Sequence, residues 1–382
     1  MSMTMLPLQL FGAGDNTLGY IINILYFVFF FIIVFYGNSL QVWRMTKQIE
    51  AALYKLNKMS EESKEIVVKT VKDLGKGTDD TSKAVLSMLE FVTIEPVSLD
   101  PAGVIQRLDH VLDVRKSRYE DAVARMAPGA TKDDSSNIEG TIEAASAVYF
   151  IFKVIRHYYL LGKKTKNMYL VLQVQMQLAE IMRIAKAYFE ALKAFSLGKP
   201  IGDGLGPLVT ARLVDAYKKS GKEPTVNEDV AKEVTVIKMT LDERKLVLVR
   251  ARGPGSRVGK PGEAIAKMVE EYKGDIARII MIDAAGKLEG ETTGDVVEGV
   301  GAAIGDPGPE KYKIEEAAVK YDIPVDAILV KEAIEEAVSP MKKEISDAAD
   351  KVSERVREII KERTNPGTTV IVAGIGNTIG VG

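Results

Sequence analysis

The chain has 382 residues, a net charge of −2 and charged residues of both signs interspersed along it. That balance asks for neither a nucleic acid nor an acidic polymer as partner. There is no cysteine, which excludes disulfides, thiolate metal sites and cysteine nucleophiles, and His110 and His157 are the only histidines, too few for histidine-rich zinc, nickel or haem chemistry. No cofactor and no metal is expected.

Residues 1–17 hold Asp15 and no Lys or Arg and read as a short extracytoplasmic tail. Residues 18–36, LGYIINILYFVFFFIIVFY, carry no charge. Roughly 20 apolar helical residues cross a hydrocarbon core of about 30 Å, so this stretch is expected to be a transmembrane helix. Arg44 and Lys47 follow it, and the positive-inside rule then leaves the N-terminus outside and the bulk of a single-pass protein in the cytoplasm of the cell. The lipid bilayer is the first partner expected on this reading.

Residues 37–199 read as a helical region. Val42, Met45, Ile49, Leu56 and Met59 keep one helical face apolar, and Gly75 and Gly77 end that helix. A second helix begins at Lys83 and stops before Pro96, and a third opens at Pro101 and runs to Met126. Pro128 to Asn137, PGATKDDSSN, reads as a mobile polar loop. Two apolar-rich helices follow, from Ile138 to Gly162 and from Lys166 to Leu197. The first contains Lys153, Arg156 and His157 and is read as a core helix or one lying on a bilayer.

At Pro200 the period changes. Strand-like VTVIKM, KLVLVRARG, ARIIMIDAA, DAILV and TTVIVAGIG alternate with helical stretches, so residues 200–382 are expected to form an α/β domain with a mostly parallel sheet. Ligands in such sheets bind at the C-terminal strand ends. Here those ends are loops of glycine and carboxylate, GDGLGP, RGPGSRVGKPGE, IDAAGKLEGE, GVGAAIGDPGPE and GIGNTIGVG. GPGSRVGKP has five residues between Gly253 and Gly259 and Pro261 in place of the magnesium-binding hydroxyl, so it is not a Walker A loop.

With GDGLGPLV and GIGNTIGVG as its most telling pieces, the chain resembles, over nearly its whole length, an uncharacterised archaeal family of single-pass membrane proteins, a domain of unknown function. Its C-terminal half also resembles the germination protease and hydrogenase-maturation protease superfamily. The residues that carry this second likeness are Gly202-Asp203-Gly204-Leu205-Gly206-Pro207, then Arg252-Gly253-Pro254-Gly255 through Gly262-Glu263, then Ile282-Asp283-Ala284, with a glycine-proline turn from Gly305 to Gly308. The resemblance implies an aspartate-dependent peptidase-like hydrolase with Asp203 and Asp283 as the catalytic pair and Glu263 as a third member. In those peptidases a glycine-x-glycine-asparagine strand runs directly into the aspartate loop, whereas here Gly374-Ile375-Gly376-Asn377 comes last. A circular permutation is inferred, which predicts that Gly376 and Asn377 return beside Gly202 and Asp203.

Two carboxylates held close do not both ionise easily, so one keeps a proton as acid while the other activates water. The candidate ligand loops comprise Gly202, Gly204, Gly206, Gly253, Gly255, Arg257, Glu263, Gly374, Gly376 and Asn377. A protein or peptide is the expected substrate, and a homo-oligomer is allowed. The alternatives are a non-catalytic scaffold at a membrane, or a peptide- or anion-binding module in which Arg250, Arg252, Arg257 and Lys260 supply positive charge. Taken alone, Asp203 would cap the helix that follows it, and Asp283 would be an ordinary polar strand end.

Overall fold

The structure, a computed structural model, describes residues 17–77, 81–97, 101–228, 230–305 and 308–382, with the backbone alone at 17–21, 32–39 and 101–102. The expected tail at 1–17 lies outside it except for Thr17, and so do Asp306 and Pro307 of the expected glycine-proline turn.

Helix α1 spans Thr17–Gly75, α2 Thr81–Leu89, α3 Pro101–Met126, α4 Lys132–Thr165 and α5 Met168–Ser196. The proline at 101 and the glycine at 75 set ends where they were expected, because proline has no N–H to give a helix interior and glycine tolerates the termination. The polar stretch 128–137 is not a loop throughout. Thr131 accepts the Asp134 N–H at 3.1 Å and donates to the Asp134 carboxylate at 2.7 Å, a reciprocal cap that starts α4 at Lys132.

Among the described residues no helix is long and apolar enough to cross a membrane, which corrects the expected transmembrane helix at 18–36.

The chain divides into two compact units. The first comprises residues 1–53 and 155–178. Within it the Tyr159 hydroxyl donates to Glu50 at 2.5 Å, beside buried Ile49, Ala52, Ile155 and Val171. The second comprises 54–154 and 179–382 and holds both a helical layer and the sheet. In its helical layer Val67, Val71, Val85, Val123, Ile138, Ile142 and Leu192 form one core.

From residue 200 the order is a 3-10 turn at Gly202–Gly204, α6 Leu205–Lys219, β1 Thr225–Asn227, β2 Val234–Leu241, β3 Arg244–Ala251, α7 Pro261–Glu271, β4 Arg278–Gly286, β5 Val296–Val300, α8 Pro309–Lys320, β6 Val325–Glu332, α9 Ile334–Val338, α10 Lys343–Arg363 and β7 Thr369–Gly374. The sheet order is β1-β2-β3-β7-β4-β6-β5. Strands β3, β7, β4 and β6 pair in parallel, whereas β1–β2, β2–β3 and β5–β6 are antiparallel. The sheet is therefore mixed and not mostly parallel as expected. One cause is local: β2 and β3 form a hairpin through Asp242 and Glu243, both at positive φ, a two-residue turn of the kind that follows strand twist but here lacks the usual glycine.

Strand β7 is buried on both faces along its whole length, the signature of a central parallel strand. On one side α6 and α10 bury Leu205, Val209, Leu213, Ile345, Val352 and Ile359 against it. On the other, residues from α7 and α8, including Ile265, Met268 and Ile314, pack on Ile279, Met281 and Ile371.

Candidate functional site

The parallel strands β4, β6 and β7 end together, and three acidic side chains gather there. Asp203 comes from the 3-10 turn that leads into α6. Its carboxylate does not cap that helix, since Gly204 occupies the N-cap without any side-chain bond. Instead Oδ2 accepts the Asn377 N–H at 2.7 Å, three residues past the end of β7. Gly376 makes that approach feasible. It sits at φ +127°, and a Cβ there would lie 1.8 Å from the Asp203 carbonyl oxygen, so any side chain would push the two segments apart.

Asp283 belongs to β4 and is 7% exposed. Its Oδ1 accepts the Ala284 N–H at 2.8 Å, and the Gly305 N–H also reaches the carboxylate. Burial, then the charge of Asp203, pushes its pKa up to about 7. Burial also pushes the Asp203 carboxyl up, against the pull of the Asn377 N–H. Asp203 keeps some accessible surface as a residue, although its carboxylate lies deep among protein atoms.

The third acid is Glu332, the last residue of β6, and the sequence reading missed it. It is 2% exposed and neither carboxylate oxygen has a hydrogen-bond partner. Burial pushes it up to about 8, with Asp203, Glu336 and Asp283 adding their charge. Oε2 lies against the α-carbon of Gly202, where a Cβ would come within 2.6 Å of it and within 2.4 Å of the Glu336 carbonyl oxygen. Glu336, on α9, has the opposite fate. Burial alone would raise it, but the Ala333 N–H, Lys342 and Thr293 bond its two oxygens and hold it down to about 2. The signal for Glu332 was the pair Lys331-Glu332 at a strand end, which in sequence reads as solvated charge.

The remaining loop residues divide into two sets. Gly202, Gly204, Gly206, Gly374, Gly376 and Asn377 surround the carboxylates: a Cβ on Gly206 would meet the Ile375 and Ile282 backbones within 2.2 to 2.7 Å, one on Gly374 the Gly206 carbonyl at 2.3 Å, and one on Gly204 the Asn377 carbonyl at 3.0 Å. The second set lies after β3. Gly253 packs on the Val381 carbonyl, and Gly255 on Arg257 and Asp133. Arg257 is 5% exposed, with Asp133 at 2.6 Å, Glu233 at 3.5 Å and the carbonyls of Lys132 and Arg252 as partners. It fastens the β3 loop to the start of α4. Arg252 pairs with Glu228, Lys260 with Asp109 and Asp113, and Arg250 donates to the Gly382 carbonyl, so these four cations already have protein partners. Glu263 opens α7 and pairs with Lys267 at 2.7 Å. Its charge is not among those acting on Asp203, Asp283 or Glu332.

Two clefts adjoin the loops after β3. One of about 990 Å³ is lined by Glu120, Lys132, Glu233, Arg252, Arg257 and Glu263 and does not reach the carboxylates. A smaller one, about 370 Å³, lies between α3, α4 and the 256–260 loop, and Asn377 is in its wall. There the Asn377 Nδ2 donates to Ser256 Oγ at 3.1 Å, while its backbone N–H faces Asp203. Among the described residues no group of His, Cys, Asp and Glu is arranged to hold a metal ion.

A comparison with curated proteins finds no match. The junction that the change of period marks at residue 200 is also where two matched domains meet: "Protein of unknown function (DUF1512) N-terminal domain" covers residues 23–198 and "Domain of unknown function (DUF1512) C-terminal" covers 201–382, and the chain belongs to the DUF1512 family.

Proposed function

We propose that residues 200–382 form a hydrolase of the peptidase class that works by acid–base chemistry on water. The observation that carries this reading is the neighbouring pair Asp203 and Asp283 at the C-terminal strand ends, both raised by burial, Asp283 to about 7. Asp283 has more N–H donors and ionises more readily, which makes it the base; Asp203 keeps its proton and is the acid.

In the reaction, the Asp283 carboxylate takes a proton from water, and the water oxygen bonds to the scissile carbonyl carbon. The C–N bond then breaks, and the Asp203 proton passes to the departing nitrogen. A carboxylic acid and an amine leave, and the proton on Asp283 returns to Asp203. The cleft with Asn377 in its wall adjoins the pair through that residue alone, which bonds Asp203. The resemblance to germination-type peptidases supports the same pair. The contact of Asn377 with Asp203 supports the idea that their motif order has been permuted.

The test is peptidase turnover by the purified full-length chain on a fluorogenic peptide library, with Asp203→Asn and Asp283→Asn measured separately. Each is expected to lower kcat by about 100-fold or more, as loss of a general acid or base does. Turnover equal to that of the parent in either folded variant overturns the reading.

A further inference from the structure

Three buried acids meet at this site without a cation among the described residues. In the low-polarity environment of a protein core, each additional negative charge is opposed by the ones already present. Which carboxyl stays neutral then follows from the donors each can call on. Asp283 has two backbone N–H donors, from Ala284 and Gly305. Asp203 has one, from Asn377. Glu332 has none, although it is the most buried of the three by residue exposure.

The charges around Glu332 point the same way from every element packed near it. The 3-10 turn presents Asp203, β4 presents Asp283, and α9 presents Glu336, which is already an anion bonded to Lys342 and Thr293. Successive strand residues face opposite sides of a sheet, and neighbouring Lys331 is paired with Glu291. Lys287, which reaches the Glu332 main-chain carbonyl with its backbone N–H, sends its ammonium to Thr293. Among the described residues no cation compensates Glu332.

We propose that Glu332 is the proton-holding member of the site, a positioning residue that stays neutral so that Asp203 and Asp283 share a single negative charge between them. The assignment deepens the hydrolase reading and rests on it for its catalytic meaning. Burial of Glu332 against Gly202 puts the neutral carboxyl directly under the turn that carries Asp203. Ionising it would place a second anion under the acid and raise the affinity of Asp203 for its proton, so the proton would no longer reach a leaving nitrogen. The site should therefore lose activity on the alkaline side as Glu332 titrates, near pH 8.

Carbon-13 labelling of glutamate side-chain carboxyls in the full-length protein reads this without any turnover. One glutamate resonance is expected to titrate near pH 8, to be absent from Glu332→Gln, and to move down by about half a unit or more in Asp283→Asn, where a neighbouring charge is removed. Every glutamate titrating in the ordinary carboxylate range, or a high resonance that survives Glu332→Gln, overturns the proposal. If Glu332→Gln does not fold, parent and Asp283→Asn spectra decide: a midpoint that is high and unmoved overturns it too. In the pH–rate profile, Glu332→Gln should lose the alkaline fall, whatever its rate at neutral pH. An inactive chain with the high-pH glutamate refutes the hydrolase reading and leaves Glu332 as assigned, whereas an active chain without that resonance refutes Glu332 alone.

Discussion

Strand β6 buries a carboxylate at each end, and the two ends handle it differently. Asp326, near the start, is 5% exposed and is gripped by Arg278 at 2.9 Å to both oxygens and by Arg363 at 2.9 Å. Glu332, at the other end, is 2% exposed and has neither a cation nor a hydrogen-bond donor. A buried anion is costly unless paired and bonded. The N-terminal end of the sheet therefore shows what ordinary structural burial of an acid looks like, and the C-terminal end departs from it. That departure sits where α/β sheets present their ligand sites, and the neighbouring β4 shares part of it, since Asp283 is buried there with backbone N–H donors in place of a cation. The contrast separates a candidate site from ordinary structural burial within one strand.

The largest effect expected from breaking this contrast is at the paired end. Asp326→Ala leaves two arginines without their buried partner and should lower unfolding stability by about 3 kcal/mol, read by chemical denaturation at pH 7. Arg363 is partly exposed, so solvent takes up some of the loss. A change near zero would mean that the two ends do not differ in the way described.

A smaller effect, of opposite sign, is expected at the unpaired end. Glu332 holds its proton up to about 8 in the folded chain, against an ordinary value of 4.5. Below pH 4.5 the folded and unfolded chains both bind that proton. As pH rises further, the unfolded chain releases it first, so the stability contribution is lost progressively through the folded value and then levels off. Asp283, raised from 3.8 to about 7, adds a fall in the same direction. Glu332→Gln should remove the first of these falls and be more stable than the parent by about 2 kcal/mol at pH 8, allowing for the unbonded amide. Melting temperatures of both proteins from pH 4 to 9 measure it, and parallel curves would contradict the account.

The smallest effect sharpens where the site ends. Glu263→Gln removes only a partly exposed pair with Lys267 and should change stability by less than about 0.5 kcal/mol. Chemical denaturation at pH 7 reads it, and a loss well above that would return Glu263 to the carboxylate group.

Much of this architecture is written locally. Pro101 and Gly75 mark helix ends, and the change from a period near 3.6 to alternating strands and helices at Pro200 marks the α/β domain, because proline, glycine and side-chain periodicity act within a few residues. The Thr131 cap was legible in principle but lies within a polar run that reads as loop. The hairpin at Asp242-Glu243 was hidden because neither residue is the glycine or asparagine such turns favour, so the sheet read as more parallel than it is. An apolar run such as 18–36 satisfies the composition of a span, and no helix among the described residues meets the length and apolarity a span needs.

Sequence alone determined which acids stand beside glycine loops, Asp203 and Asp283 among them, because glycine's freedom of approach is a property of the residue. Tertiary structure decided which acids lack partners. Glu332 and Glu336 are four residues apart and look alike in sequence, yet one meets Lys342, Thr293 and a backbone N–H while the other meets Gly202 and two more acids. It likewise decided that Arg257 is bound to Asp133 and Glu233, where the letters suggested a free cation. The reason is that proton affinity and ion pairing depend on what surrounds a group in three dimensions. The residues that surround Glu332 come from segments more than a hundred positions apart, which no local pattern records.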